Sequence, residues 1–507
     1  MKKTMKKFLP ALLIFSSLSS FAQFKTIHSD KKSFYQYKAQ STDQSRLGIY
    51  GPSGDFIPVS IERNEIIGAD TIYHNYSVFR RNENTESGDP CYLTNKGWAW
   101  TGKKILMTED QREVYININD DSLVFRKYAD LNDTWIFFNT SENHFFATVT
   151  KKEPETFSID GTPVTDSVMT ISISYRKNSD NSSLEHPFDG KEWKVSKSYG
   201  FIKAYDLLNF PLDTNTLTLA GVENIGVKNL TLADVYNFEV GDILHVRDYI
   251  EGYYFKERKV VQRILSKSLN SDNVTYKVEI SYNESQRIPE GEIFSAGVDT
   301  VTRQFSFQSD YESLNELPCK AVWRNGGVFS HEAKYNYQYI DSRTSFMSKT
   351  LASLNFYSPE NDSCYEEIVD GIPMFMEFIE GLGGPYYSVY KENFPFSTTE
   401  GEQLVYYKKG SKEWGTPYNL VLGVYANKLN MAISLSPNPT TDRLKVLSEG
   451  IQNTIYKVYN IEGREMLTGN LFNTEESIDV NSLKTGIYSL MIMKEGGVVY
   501  TSRFVKN

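Results

Sequence analysis

With 507 residues, 40% of them hydrophobic and 23% charged, the chain is long enough for roughly two to four domains and has the composition of a folded protein, which excludes a disordered one. Its 64 Asp and Glu outnumber 54 Lys and Arg, a formal charge of −10, and that sign disfavours a nucleic-acid phosphate backbone as partner. Tyr and Phe are abundant, at 34 and 30, which suits strands packed on one another and also suits surfaces that hold sugars or polymers.

Residues 1 to 22 read as a secretory signal peptide. MKKTMKK supplies four lysines, FLPALLIFSSLSSF is a short apolar run, and Ser20-Phe21-Ala22 places small residues at a cleavage site before Gln23. Removing those four lysines leaves 50 basic against 64 acidic residues, a mature charge of −14. No later segment reaches about 18 uninterrupted apolar residues, so no transmembrane helix is expected.

A first β-rich domain is expected over 23–210. NKGWAWTGKK places Trp98 and Trp100 on one face of an extended segment, flanked by Lys96, Lys103 and Lys104, where they would stack on a sugar ring or pack against other strands. EVYININDDSLVFRKY has period-2 alternation around Asn119-Asp120-Asp121 and predicts a hairpin. In DLNDTW, Asp130, Asn132 and Asp133 resemble an oxygen-rich loop, but an EF-hand needs glycine where Trp135 stands, so an ordinary turn is the expectation. DSVMTISISY alternates Met169, Ile171, Ile173 and Tyr175 with polar residues and predicts a half-buried strand.

A β-meander is expected over 211–318. It opens at LADVYNFEVGDILHV and includes NVTYKVEI, where Val274, Tyr276, Val278 and Ile280 alternate with polar residues. The best short helical candidates are SDYESLNEL at 309–317 and SFMSKTLASL at 345–354.

A third β-rich region is expected over 319–430. The chain has three cysteines, Cys91, Cys319 and Cys364. Export through an oxidising compartment makes one disulfide available, with Cys319 and Cys364 the nearer pair, and buried thiols are the alternative. In MEFIEGLGGPYY, Glu377 and Glu380 stand beside Tyr386 and Tyr387. Two carboxylates near a glycine-permitted close approach are what a glycoside hydrolase requires, although solvated acids before a glycine turn are the commoner case. The six histidines are scattered, His331-Glu332 lacks a second His at zinc-protease spacing, and no G-x-S-x-G, phosphate loop or dinucleotide fingerprint occurs. No metal and no cofactor is expected.

A boundary falls at SLSPNPTTDRLKV. Pro437 and Pro439 lack backbone donors and push their preceding residues to extended conformations, so the stretch leads into a new module. Beyond it, TIYKVYNIEGREML turns at Glu462-Gly463, SIDVNSLKTGIYSLMI turns near Gly486 before Tyr488, and GGVVYTSRFV supplies a further strand. Short strands at such spacing predict a small β-sandwich over 433–507.

This module resembles the type A C-terminal sorting domain of the type IX secretion system of Bacteroidota. The resemblance rests on PNPTTDRLKV with Pro437, Asn438 and Pro439, on VYNIEGREMLTG with Gly463, on IDVNSLKTGIYSLMI with Gly486 and Tyr488, and on the basic end RFVKN. It implies an immunoglobulin-like sandwich recognised by the type IX translocon and removed by its sortase-like peptidase. The body would then be released or joined to surface lipopolysaccharide, so the location implied is secreted or outer surface, reached through the periplasm.

The body, 23–430, is similar to uncharacterised exported proteins that carry the same sorting domain, through KVSKSYGFIKAYDLLNFP, DVYNFEVGDILHV and LVYYKKGSKEWGTPYNL. That likeness implies no activity. Two function classes follow: a binding, adhesive or structural surface module, and an extracellular polysaccharide- or polymer-acting hydrolase with paired carboxylates. Four stretches, Asp70-Thr71-Ile72, Asp121-Ser122-Leu123, Asp166-Ser167-Val168 and Asp299-Thr300-Val301, resemble the O-glycosylation acceptor of exported Bacteroidota proteins. The same pattern also ends turns before strands. The whole chain is thus expected to be all-β, a multidomain antiparallel body followed by the sandwich.

Overall fold

The structure is a computed structural model that describes residues 23–38, 56–76, 78, 80–82, 91–93, 99–252, 255–288, 291–308, 314–325, 330–357, 374–393, 396–420, 433–447, 452–494 and 497–507. It is all-β and built of antiparallel sheets, and the helix it contains among the described residues is one turn, Leu232–Val235. No described helix is long and apolar enough to cross a membrane.

The N-terminal part pairs two sheets. One runs in the order Thr134–Asn139, Asn143–Ile159, Thr162–Lys177, Glu192–Ser196, Gly200–Tyr205, Thr216–Val222, Ser33–Lys38, Phe56–Val59, and the other in the order Ile61–Ile67, Asp70–Asn75, Lys104–Met107, Arg112–Ile116, Ser122–Arg126. Their inner faces share one core, and aromatic rings bridge them: Phe125 packs on Phe137 at 5.0 Å and on Phe201 at 5.1 Å, edge to face. Such pairs add to area burial through the ring quadrupole. The predicted hairpin is present, with Arg112–Ile116 pairing Ser122–Arg126 and Asp120 at positive φ in the turn. The alternation of DSVMTISISY likewise buries Met169, Ile171 and Ile173.

The segment after residue 22 is stitched into this core. Phe24 is buried and its N–H donates to Lys127 O at 2.9 Å, while the Thr26 N–H donates to the buried Glu113 carboxylate at 2.9 Å. The Thr26 hydroxyl also bonds Glu113 and Tyr115. Burial pushes the Glu113 carboxyl up to about 7, against the Thr26 hydrogen bonds and the charge of Lys127.

The central part is one 11-stranded sheet. Its order is Gly291–Ser306, Asn273–Ile288, Phe255–Leu269, Ile243–Gly252, Phe396–Lys409, Gly383–Asn393, Met374–Ile379, Met347–Tyr357, Ser330–Ile340, Ala321–Asn325, with Lys412–Gly415 paired to Phe396–Lys409. The blocks expected at 211–318 and 319–430 meet inside it, because Ile243–Gly252 pairs with Phe396–Lys409. The boundary expected at 210 falls between Gly200–Tyr205 and Thr216–Val222, which also pair in one sheet. Val274, Tyr276, Val278 and Ile280 are buried, as their alternation predicts.

The helix expected at 345–354 is instead the strand Met347–Tyr357. Its residues from Ser348 to Ala352 are all buried, so both faces are covered and the period-2 signal that marks a half-buried strand is lost. At 309–317, residues 309–313 lie outside the described residues and 314–317 form turns rather than an α-helix.

One face of that strand carries Lys349, fully buried. Its Nζ lies 2.8 Å from Asn229 Oδ1, 3.2 Å from Leu230 O, 2.7 Å from Leu314 O and 2.7 Å from Glu316 O. Burial pulls its pKa down to about 7, against the charges of Cys319, Glu316 and Asp234. We expect Lys349→Met to destabilise the protein by about 3–5 kcal/mol, because oxygens turned inward toward one amine are left without a donor. The midpoint of urea unfolding checks this, and an unchanged midpoint would refute it.

His245, buried on Ile243–Gly252, accepts a hydrogen bond at Nδ1 from the Tyr418 N–H at 2.8 Å and packs on the rings of Tyr406 and Tyr418. Burial lowers its pKa from 6.5 to about 4. The unfolded chain therefore binds more protons than the folded one in that window, so stability present above pH 6.5 declines as the pH falls toward about 4. His245→Asn keeps an acceptor without the titration. The wild-type unfolding free energy should fall by about 2–3 kcal/mol more than the variant's across that range, and parallel pH profiles of the two would contradict the assignment.

The C-terminal part, from residue 433, is a sandwich. Ser434–Ser436, Arg443–Leu447 and Glu475–Asp479 form one sheet, and Glu465–Leu471, Thr454–Tyr459, Gly486–Lys494 and Gly497–Lys506 form the other. Leu444, Val446 and Ile478 of the first share a core with Val458, Leu490, Ile492 and Phe504 of the second.

Candidate functional site

A cleft of about 570 Å³ opens on the 11-stranded sheet. It is lined from five neighbouring strands and one turn, by residues that include Tyr337, Tyr339, Arg343, Thr350, Phe375, Glu377, Tyr387, Ser388, Glu402 and Gln403. Tyr337 and Tyr339 alternate on Ser330–Ile340, so the pleat puts both on one face, with rings stacked at 5.9 Å. Across the adjoining strands Tyr337 pairs with Thr350, Thr350 with Glu377, and Glu377 with Tyr386.

Glu377, singled out from the sequence, lies in this cleft. Its Oε1 accepts from the Tyr339 hydroxyl at 2.6 Å and the Ser348 hydroxyl at 3.1 Å, and its Oε2 accepts from Arg343 Nη2 at 2.5 Å. Arg343 is shared with the buried Asp341 through Nε at 2.9 Å. Burial alone would lower the guanidinium's pKa, but the Asp341 hydrogen bond and the Glu377 charge outweigh it and raise it. Burial and the Glu377 charge push the Tyr339 phenol well above its ordinary range. Glu377 is therefore a fixed acceptor with both oxygens engaged. The turn that follows comes close to its backbone. Gly384 has φ +133°, and a Cβ there would meet Glu377 O at 2.5 Å.

The expected partner Glu380 is not brought to Glu377. Its side chain lies 3.9 Å from Lys228 and does not line the cleft, because the strand ends at Ile379 and Glu380 turns away. The second acid of the cleft is Glu402, from Phe396–Lys409, which stands 25 residues further along the chain. Only the pairing of Gly383–Asn393 with Phe396–Lys409, which sets Tyr387 opposite Glu402, brings it there. Burial, then the charge of Asp248, raise the Glu402 carboxyl, and Arg303 opposes them.

The other sequence candidates fall elsewhere. Trp100 is 1% exposed and packs edge to face on Tyr35 at 4.9 Å and Phe201 at 5.9 Å, so it belongs to the core and offers no stacking platform. Trp98 lies outside the described residues. Cys319 is buried, and Cys364 lies outside the described residues, as does any bridge between them. Asp130 pairs with Lys152 at 2.9 Å and Asp133 caps the turn by accepting the Asp130 N–H, so those carboxylates serve the loop itself. Among the glycosylation candidates, Ser122 and Thr300 are exposed while Thr71 and Ser167 are half-buried, and Ser167 and Thr300 sit inside strands rather than at their starts.

In the C-terminal sandwich the Pro437-Asn438-Pro439 segment clasps the last strand. Asn438 Oδ1 accepts from the Val505 N–H at 2.8 Å, Asn438 Nδ2 donates to Arg503 O at 3.2 Å, and the Thr440 N–H donates to Val505 O at 2.8 Å. Gly463 takes φ +78° in a turn whose N–H groups at Glu462 and Arg464 donate to Asn460 Oδ1. Gly486 does not use the left-handed region and lies against the Tyr488 ring. Tyr488 stacks on Phe504 at 5.7 Å, and its hydroxyl donates to Lys484 O at 2.9 Å, which ties the start of its strand to the preceding turn.

Comparison with known proteins bears on this sandwich. The family model of the secretion system C-terminal sorting domain matches residues 434–507. No curated protein matches the chain. Among solved structures, the chain is similar to PorZ, a bacterial surface component of the type IX secretion system of Porphyromonas gingivalis, at 8% identity over 96% of this chain and 81% of that one, with a TM-score of 0.14. It is also similar to the extracellular domain of a one-component system from B. thetaiotaomicron, at 9% identity over 90% of this chain and 87% of that one, with a TM-score of 0.14. At that TM-score neither likeness carries an argument.

Proposed function

We propose that the protein is a binding module of the outer cell surface whose central cleft holds a glycan, taking as premise that residues 434–507 are a type IX secretion C-terminal sorting domain and send the chain across the outer membrane. The carrying observation is the cleft itself, in which Tyr339, Phe375 and Tyr387 stand beside fixed polar groups at Glu377, Arg343 and Ser388. Sugar rings present both apolar faces and hydroxyls. Aromatic rings with preset donors and acceptors match both. The groups are also preorganised on strands, which favours recognition because little freedom is lost on binding.

The hydrolase reading gains less support. The sequence pair Glu377 and Glu380 is separated, and Glu377 is engaged by Tyr339, Ser348 and Arg343. The sorting domain fits an immunoglobulin-like sandwich through its three- and four-stranded sheets and its Tyr488 corner. On this reading the leader at 1–22 takes the chain to the periplasm of a Bacteroidota cell, and the translocon and its sortase-like peptidase act on 433–507.

Two experiments test the two halves. Deleting 433–507 should leave the body in the periplasm, and its appearance on the surface or in the medium would refute the export route. For the cleft, surface polysaccharides and lipopolysaccharide are screened against the mature protein. Tyr387→Ala should weaken the best ligand about tenfold, since stacking on an aromatic ring contributes on the order of 1–2 kcal/mol. Unaltered affinity would remove the cleft from consideration.

A further inference from the structure

The charges of the cleft do not balance. Glu377 is matched by Arg343, which is itself divided between Glu377 and Asp341. Glu402 has no hydrogen-bond donor and no cation at ion-pair distance among the described residues. Its register partners are Asp248 on one side and Tyr387 on the other. Residues so opposed have Cβ atoms about 5 Å apart, so two carboxylates are set side by side next to a ring. Asp248 is in turn opposite Arg258, but that guanidinium stacks over Tyr282 at 4.4 Å and lies 3.8 Å from Glu284. Arg303 faces Glu402 from a smaller cavity of about 60 Å³ that Glu402 also lines, and it donates to Gln262 at 2.9 Å. Of the charged groups that line the cleft, Glu377 and Glu402 thus face the single guanidinium of Arg343, beside the rings of Tyr387, Tyr339 and Phe375, with Asp248 opposite Glu402 in register and Arg303 the cation that acts on it from the neighbouring cavity.

Like charges opposed across a strand pair are destabilising, and aromatic faces attract cations. Both features are relieved by a ligand that brings positive charge. Resting on the glycan reading above, we propose that the cleft takes an amino sugar, a glycan with de-N-acetylated hexosamine units whose protonated amine is received at Glu402. The arriving ammonium favours the ionised form of Glu402, so whatever fraction holds a proton releases it on binding. Tyr386 and Tyr387 are the titratable neighbours on the adjoining strand, and burial holds both phenols neutral near physiological pH.

The experiment is calorimetric titration of the mature full chain with a glucosamine hexamer, its N-acetylated counterpart and a glucose hexamer, at a mildly acidic pH where the hexosamine amines are already protonated, in two buffers of different ionisation enthalpy. We expect the glucosamine oligomer to bind at least about tenfold tighter than either neutral oligomer, the size of one charge-assisted contact. Its apparent enthalpy should also differ between buffers in the direction of proton release. Glu402→Gln should abolish both the preference and the release, while Glu380→Gln, outside the cleft, should change neither. Equal affinity for amine and neutral oligomers, or a preference that survives Glu402→Gln, overturns the inference and leaves the glycan reading standing. Failure of all three oligomers in the wild type, with tight binding of an oligolysine peptide, overturns both in favour of a peptide ligand. Failure of every probe rejects both as well. Thermal unfolding of Glu402→Gln confirms that a lost preference is not a lost fold, because removing an unpaired carboxylate should leave the midpoint equal or higher.

Discussion

The buried Lys349 amine sets the conditions for the central part of the molecule. A buried amine must be surrounded by acceptors, and those it uses come from Asn229, Leu230, Leu314 and Glu316, far from it in sequence. The same segments are tied to one another. Asn229 donates to Asn315 O, Asn315 donates to Phe307 O, and Gln338 receives the Leu230 N–H while donating to Lys228 O. Two residues beyond this knot of amides, Tyr76 of the N-terminal part donates to Leu317 O at 2.6 Å, and Leu317 and Cys319 enter the N-terminal core. One amine therefore fixes the path of the chain where the two parts of the body meet.

The same lysine governs the cleft by alternation. Its neighbours Ser348 and Thr350 point to the opposite face of the strand, where Ser348 donates to Glu377 and Thr350 lines the cleft. Holding Lys349 in its cage fixes the register of Met347–Tyr357, because a slip of one residue would exchange the two faces. Glu377 is then held by Tyr339 and Ser348 from two strands on one side and by Arg343 from the intervening turn. Precision at the site thus comes from polar groups buried behind it and from Arg343 of the one turn that reaches it.

Sequence carried the local information and missed what depends on distant pairing. Val274, Tyr276, Val278 and Ile280 announced their strand because one face is buried and the other is not. The sorting domain was legible for a related reason: its turns at Gly463 and its Pro437-Asn438-Pro439 lead-in are short-range features. Met347–Tyr357 read as a helix because its faces are both covered and Lys349 sits where an apolar residue would be expected. Strands from either side of 318 pair in one sheet, Ile243–Gly252 with Phe396–Lys409, and no local pattern encodes that register. Trp100 looked like a platform because exposure cannot be read from a tryptophan beside glycine and lysine. Glu377 was found beside Tyr386, but its companion in the cleft, Glu402, is placed by strand order alone.

Two unmatched acids show how surroundings decide what a buried carboxylate does. Glu113 faces a cavity of about 20 Å³, space for little more than one water. Nothing larger can enter, so its charge is managed internally. Burial favours the neutral form, Thr26 supplies the hydrogen bonds, and the acid serves to fasten the N-terminal segment to the core. Glu402 shares the raised pKa and lacks the hydrogen bonds, yet it borders about 570 Å³ of open cleft beside Tyr387. An acid left unsatisfied in a closed cavity would only weaken the fold, and at Glu113 Thr26 satisfies Oε2 while burial favours the neutral form. An acid left unsatisfied at the wall of an accessible cleft is satisfied by whatever the cleft admits, and the free energy withheld in the empty protein becomes affinity for that ligand.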